Sequence, residues 1–128
     1  RARGGEGITG MEEQMRAALL ALGYPVAWGS MGQGTDLPRI VLQRISGFEP
    51  LTLDGAAGVI DGRVQVDVYG ASYGQAITAA RQVRALLSGY AGGTVILCRL
   101  DAMRDRTHAA GGDVIQGVSL DFAVRFRA

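Results

Sequence analysis

Residues 63–76 read RVQVDVYGASYGQA, an alternating run that passes directly into a helix start. In an extended chain Val64, Val66 and Val68 fall on one side, and Arg63, Gln65, Asp67 and Tyr69 on the other. One face of this strand belongs to a core and the other is wet or paired, as in an antiparallel sheet covered on a single side. Ser72 stands three residues before Gln75, the spacing of a capping box: the hydroxyl takes an orphan amide and the glutamine reaches back. The spacing predicts a helix through Ile77, Ala80, Val83 and Leu87, flanked by Arg81 and Arg84 and stopped at Ser88-Gly89. On this reading the glycines and the serine are architecture.

Before this stretch, Met11, Met15, Ala18, Leu19 and Leu22 recur at helical spacing, and Gly23 and Pro25 end the run. Thr9 precedes Glu12 at capping-box distance. Residues 25–28 (PVAW) form a short strand candidate, followed by the glycine-rich loop GSMGQGTD at 29–36. Residues 38–46 (PRIVLQRIS) read as a strand with its proline at the first position, where no ladder bond is lost. Residues 47–62 suggest a long connection or a small hairpin arm.

Beyond the central helix, TVILCRL at 94–100 reads as a strand, DAMRDRTHAAGGD at 101–113 as a polar loop, and the end as the cleanest alternation of all. There Val118, Leu120, Phe122, Val124 and Phe126 oppose Ser119, Asp121, Ala123, Arg125 and Arg127. The order α-β-β-β-α-β-β predicts an α+β fold, a mostly antiparallel four- to five-stranded sheet with two helices packed on one face. Residues 1–8 are expected to be a flexible leader or a remnant left by expression, and residues 9–128 a single domain.

At 128 residues the chain is long enough to bury its own core without staples. Its one cysteine, Cys98, sits in an apolar strand and reads as a buried structural thiol. All basic residues are arginine, and a net charge of +1 leaves no basic excess of the kind that tracks along nucleic acid. Genome composition accounts for that bias first; arginine also suits bidentate interface contacts. No run approaches the ~18 apolar residues of a membrane span.

Catalytic patterns are missing from the sequence. The 29–36 loop lacks a Gly-Lys-Ser/Thr ending and leads into a strand instead of a helix, so a phosphate cradle is disfavoured. His108 is the single histidine, without an HExxH, a nucleophile elbow or a cysteine pair, and reads as solvated. The carboxylates are scattered, and Arg99, Arg104 and Arg106 are interleaved with Asp101 and Asp105. Such mixed charge is ordinary for a solvated surface and also for the rim of a protein interface. No enzyme, cofactor or metal site is expected.

The helix MEEQMRAALLALGYPV, the strand PRIVLQ, the junction VQVDVYGASYGQA, the helix AARQVRALLSGY and the terminal VSLDFAVRF together resemble the tail-completion, or tail-terminator, family of long-tailed bacteriophages and gene transfer agents. The likeness runs from about Met11 to Ala128. It implies a structural virion protein that forms a ring, commonly a hexamer, at the head-proximal end of the tail tube, assembled in the bacterial cytoplasm. The implied partners are other copies of the chain, the tail-tube protein, and a head connector, adaptor or stopper protein, with DNA passing near the lumen and no membrane. The leader and the loop lengths depart most from the family pattern.

Contact residues are expected on the longest polar excursions: Met31, Gln33 and Asp36 in the glycine-rich loop, Phe48 and Glu49 in the arm, and Arg104, Asp105 and Arg106 after the fourth strand. Two rivals stay open. One is another neck component, a head-completion or connector protein. The other is a small-ligand regulatory domain of ferredoxin-like build, using the loop at 29–34.

Overall fold

The computed structural model describes residues 10–29, 37–49, 51–52, 55–56, 58–110 and 113–127. The chain order is α1 (Met11–Leu20), β1 (Val26–Trp28), β2 (Arg39–Phe48), β3 (Leu51–Thr52), β4 (Gly55–Ala56), β5 (Val59–Gly70), α2 (Tyr73–Leu87), β6 (Val95–Ala110) and β7 (Asp113–Arg127). Five strands form one sheet in the order β1-β2-β5-β7-β6, parallel only between β1 and β2, while β3 and β4 pair as a small hairpin. The expected α+β fold, with its element order, is the one observed.

Both helices bury their apolar stripes against the same face of this sheet. Met11, Met15 and Leu19 from α1 and Ala76, Ala79, Ala80, Val83 and Leu87 from α2 meet Ile40, Leu42, Val64, Val66, Val68, Val118, Leu120, Phe122 and Val124. The three buried alanines of α2 leave no bulk between helix and strand, so the backbones approach closely. Gly70, the last residue of β5, is needed for this: a Cβ there would lie 2.7 Å from the Ala76 amide nitrogen. Cys98 is fully buried in the same core, and burial pushes its thiol up to about 12, as an inert structural thiol requires.

The N-cap of α2 forms as its sequence implies. The Gln75 amide donates to Ser72 Oγ at 3.1 Å, and Gln75 Oε1 accepts from the amide of Ala71 at 2.6 Å, one residue before the cap. The N-cap of α1 is Gly10, which makes no side-chain cap; Thr9, expected there, lies outside the described residues. A polar clamp compensates at the other side of α1. Gln14 Oε1 accepts from the amides of Thr94 (2.9 Å) and Val95 (3.2 Å), and its Nε2 donates to Tyr90 Oη and the Gly92 carbonyl. This ties the first helix to the turn that launches β6.

Two expectations are corrected. Most of the segment expected as a polar loop is strand: Asp101–Ala110 continue β6, and pairing with β7 runs to Ala110↔Asp113. Only its far end outruns β5: Thr107 pairs with Gln116, the partner of the last β5 residue, Gly70, and the pairs from His108↔Ile115 to Ala110↔Asp113 lie beyond it. Likewise 47–62 is only partly a connection: β2 runs on to Phe48, β3 and β4 make the expected hairpin arm, and β5 begins at Val59. The β3–β4 hairpin and the β6–β7 arm lie at opposite ends of β5.

Candidate assembly surface

The sheet face opposite the helices carries no layer among the described residues, and the strand registers define it row by row. From one end, Phe48, Asp61, Arg125 and Leu97 lie side by side across β2, β5, β7 and β6. Next come Ser46, Arg63, Ala123 and Arg99, then Gln43, Gln65, Asp121 and Ala102, and then Val41, Asp67, Ser119 and Arg104. Asp101 joins this face because β6 has a register shift between Leu100 and Ala102.

Charges of opposite sign pair across the strands of this face, directly opposite in Asp61 and Arg125 and off register in the others. Arg125 binds Asp61 in bidentate fashion, Nε to Oδ1 at 2.6 Å and Nη2 to Oδ2 at 3.1 Å. This guanidinium holds the Asp61 carboxyl below its usual range. Arg63 reaches over the small Ala123 to Asp101 (2.8 Å), which also accepts from Arg99 (3.2 Å). Partial burial would raise the Asp101 carboxyl, but the two arginines outweigh it and leave it lowered. Arg104 donates to Asp121 at 2.6 Å. These pairs are exposed, so each adds little to stability, but together they hold the long side chains in one geometry.

One carboxylate is different. Asp67 is 4% exposed although it lies on the uncovered face, and Ser119 beside it is 1% exposed. Ser119 Oγ donates to Asp67 Oδ1 at 2.6 Å, and Gln65 Nε2 donates to both carboxylate oxygens at 2.9 and 3.1 Å. A buried carboxylate persists only with such partners.

Apolar groups bracket the first row. Phe48 is 65% exposed and Leu97 48%. Beside Leu97 a cavity of about 460 Å³ opens on this face, lined by Asp61, Ile96, Leu97, Arg99, Ala123 and Arg125 among others.

The expected contact residues divide into three groups. Met31, Gln33 and Asp36 lie outside the described residues. Phe48 and Glu49 close the β2 edge of the surface, with Glu49 Oε2 accepting from the Gly58 amide at 2.9 Å, which fixes the root of the β3–β4 arm. Arg104, Asp105 and Arg106 stand on strand β6, not on a loop; Asp105 Oδ2 accepts from Tyr73 Oη at 3.0 Å, joining the start of α2 to the β6–β7 arm. Arg106 pairs in register with Gly117. The structure thus brings Phe48 and Arg104 onto one face and leaves Asp105 off it. Sequence reasoning missed Asp61, Leu97, Arg99, Ala123 and Arg125 as members of a single surface. The alternation at 118–127 was the available signal for two of them, Ala123 and Arg125, but cross-strand neighbours follow only from register.

No group of three or more His, Cys, Asp or Glu side chains able to hold a metal exists among the described residues. No helix among them is long and apolar enough to cross a membrane. No curated protein matches the chain. A chain in a solved structure titled "Virion of native gene transfer agent (GTA) particle" superimposes with a TM-score of 0.61 over 93% of this chain and 92% of its own length, at 21% sequence identity, a likeness of fold. The family profile described as tail completion protein gp17 matches residues 14–127. A match over nearly the whole chain, on a fold with an uncovered charged sheet face and two projecting arms, places the protein in a family: it belongs to the tail completion protein gp17 family.

Proposed function

We propose that the protein is a structural subunit of a phage or gene transfer agent particle, forming a ring, hexameric as in the family it resembles, at the head-proximal end of the tail tube. The ring ends tube polymerisation and presents a docking surface to the head connector, adaptor or stopper protein. Its role is mechanical and not catalytic. The observation that carries this reading is the family match over residues 14–127. The geometry is consistent with it, since a ring subunit needs a rigid core and at least two distinct surfaces to meet its neighbours. Here the core is sealed on one sheet face, and the opposite face and the arms are left for contact. Within residues 9–128, taken as one domain, Phe48, Glu49, Arg104, Asp105 and Arg106 are the proposed contact residues, together with Met31, Gln33 and Asp36.

Light scattering on the purified protein, with and without the particle's tail-tube protein, tests the reading. A species of about six subunits, alone or only with the tube protein, is the expected result. A monomer or dimer indifferent to the tube protein would overturn it. Pull-downs place the ring: capture of the tube protein marks a tail terminator, whereas capture of portal or adaptor alone marks a different neck component.

A further inference from the structure

The first row of the uncovered face holds two halves of a contact that one chain cannot make with itself. Phe48 stands at the β2 end, 65% exposed, with the carboxylate of Glu49 next to it in sequence. Leu97 stands at the β6 end, 48% exposed, beside the cavity whose rim carries Arg99 and Arg125. Three strand spacings separate the two ends, roughly 14 Å at ~4.8 Å each, so neither apolar side chain can cover the other within a subunit.

We propose that Phe48 of one subunit seats in the Leu97–Ala123 cavity of a neighbouring copy, with Glu49 facing Arg99. The occupant is a second copy because one chain carries both complementary halves, an apolar ring beside an acid and an apolar hollow beside arginines. Size agrees: a cavity of ~150 Å³ already admits benzene, and this one measures about 460 Å³. Its lining includes Ala123, the small residue between Arg63 and Arg99 in register, and Ile96, which lies in the register shift between Val95 and Leu97, so the hollow forms where a small side chain meets an interruption of the β6–β7 pairing. The Asp61–Arg125 pair forms its fixed wall. Because knob and hollow are different patches, the contact can repeat from copy to copy, as a closed ring requires.

This inference rests on the self-assembly proposed above, and the test separates the two. Phe48→Cys and Leu97→Cys are placed together in the full chain, where the buried Cys98 thiol does not compete, and the protein is oxidised and run without reductant. A ladder of covalent multimers reaching the size of the native assembly, absent from either single variant, is the expected result. A ladder that stops at two would support the contact and overturn the ring. No ladder from a protein that light scattering shows to be a ring would overturn the contact alone, as would cross-linking of Phe48→Cys to the tube protein instead. No ladder from a protein that stays monomeric with the tube protein present would overturn both. A charge exchange gives an independent readout: Glu49→Arg, which also gives up the oxygen that accepts from the Gly58 amide, should abolish the assembled mass, and adding Arg99→Glu should restore it, whereas Glu49→Gln, which keeps that oxygen, should leave the melting temperature unchanged. Failure of the restoration would overturn the assigned pairing.

Discussion

The same strands β5 and β7 have two faces, and they obey different physics. On the helix side, alternate residues are apolar, fully buried and insensitive to the identity of their partners as long as volume is filled. On the other side, alternate residues are mostly polar or charged and are held by named cross-strand partners, Arg125 by Asp61 and Arg104 by Asp121, with Asp67 and Ser119 buried among them. The first face stabilises the subunit; the second holds its side chains in fixed positions while adding little to stability. A protein whose task is to be joined to others can keep these duties apart, because the period of two along a strand sends neighbouring residues to opposite faces.

The contrast can be attacked from the strong side first. Phe122→Ala, adjacent to Ala123 in the chain but on the helix side and wholly buried, should cost about 3–5 kcal/mol in urea unfolding. A loss below 1 kcal/mol would mean the core tolerates a void of that size, and the distinction between faces would be wrong. Asp67→Ala sits where the division blurs. On the uncovered face yet buried, it should behave as a core residue, losing about 1–3 kcal/mol because Ser119 and Gln65 are left without their acceptor. A neutral effect would place Asp67 with the surface pairs.

Ser72→Ala tests the hinge between strand and helix and should cost about 1 kcal/mol, recovered in large part by Ser72→Asp. The smallest effect belongs to the surface pairs. Asp61→Asn should leave the unfolding midpoint at neutral pH within error, because Asp61 and Arg125 are exposed. The folded protein holds the Asp61 and Asp101 carboxyls below the ordinary aspartate value of 3.8, so whatever they contribute is complete above that pH and lost as pH falls through their folded values. Assembly mass measured between pH 7 and 3 should therefore decline only at the acid end, and less steeply in Asp61→Asn. A decline already at pH 6 would point to a different titrating group.

Legibility in the sequence followed the same division. The strand at 63–69, the cap at Ser72 and the alternation at 118–127 could be read because burial imposes a period on residue type. The β6–β7 arm was misread as a loop for the converse reason. Residues 108–110 find their partners in β7 beyond Gln116, where β5 has already ended at Gly70. Phe48 and Arg104 were noticed singly as exposed; that Phe48 shares a row with Asp61, Arg125 and Leu97 could not be noticed, because those residues are dispersed over 78 positions (48 to 125, both ends counted) and are joined only by register.

By itself, then, the sequence determined which segments around the core are strands or helices, which side of each is apolar, and that two helices cover one side of a sheet. Those are local consequences of hydrophobic spacing and capping. The tertiary structure alone decided the strand order β1-β2-β5-β7-β6, the register that sets Asp61 opposite Arg125, and the hollow beside Leu97. These depend on which distant residues become neighbours, and that is settled by packing the whole core at once.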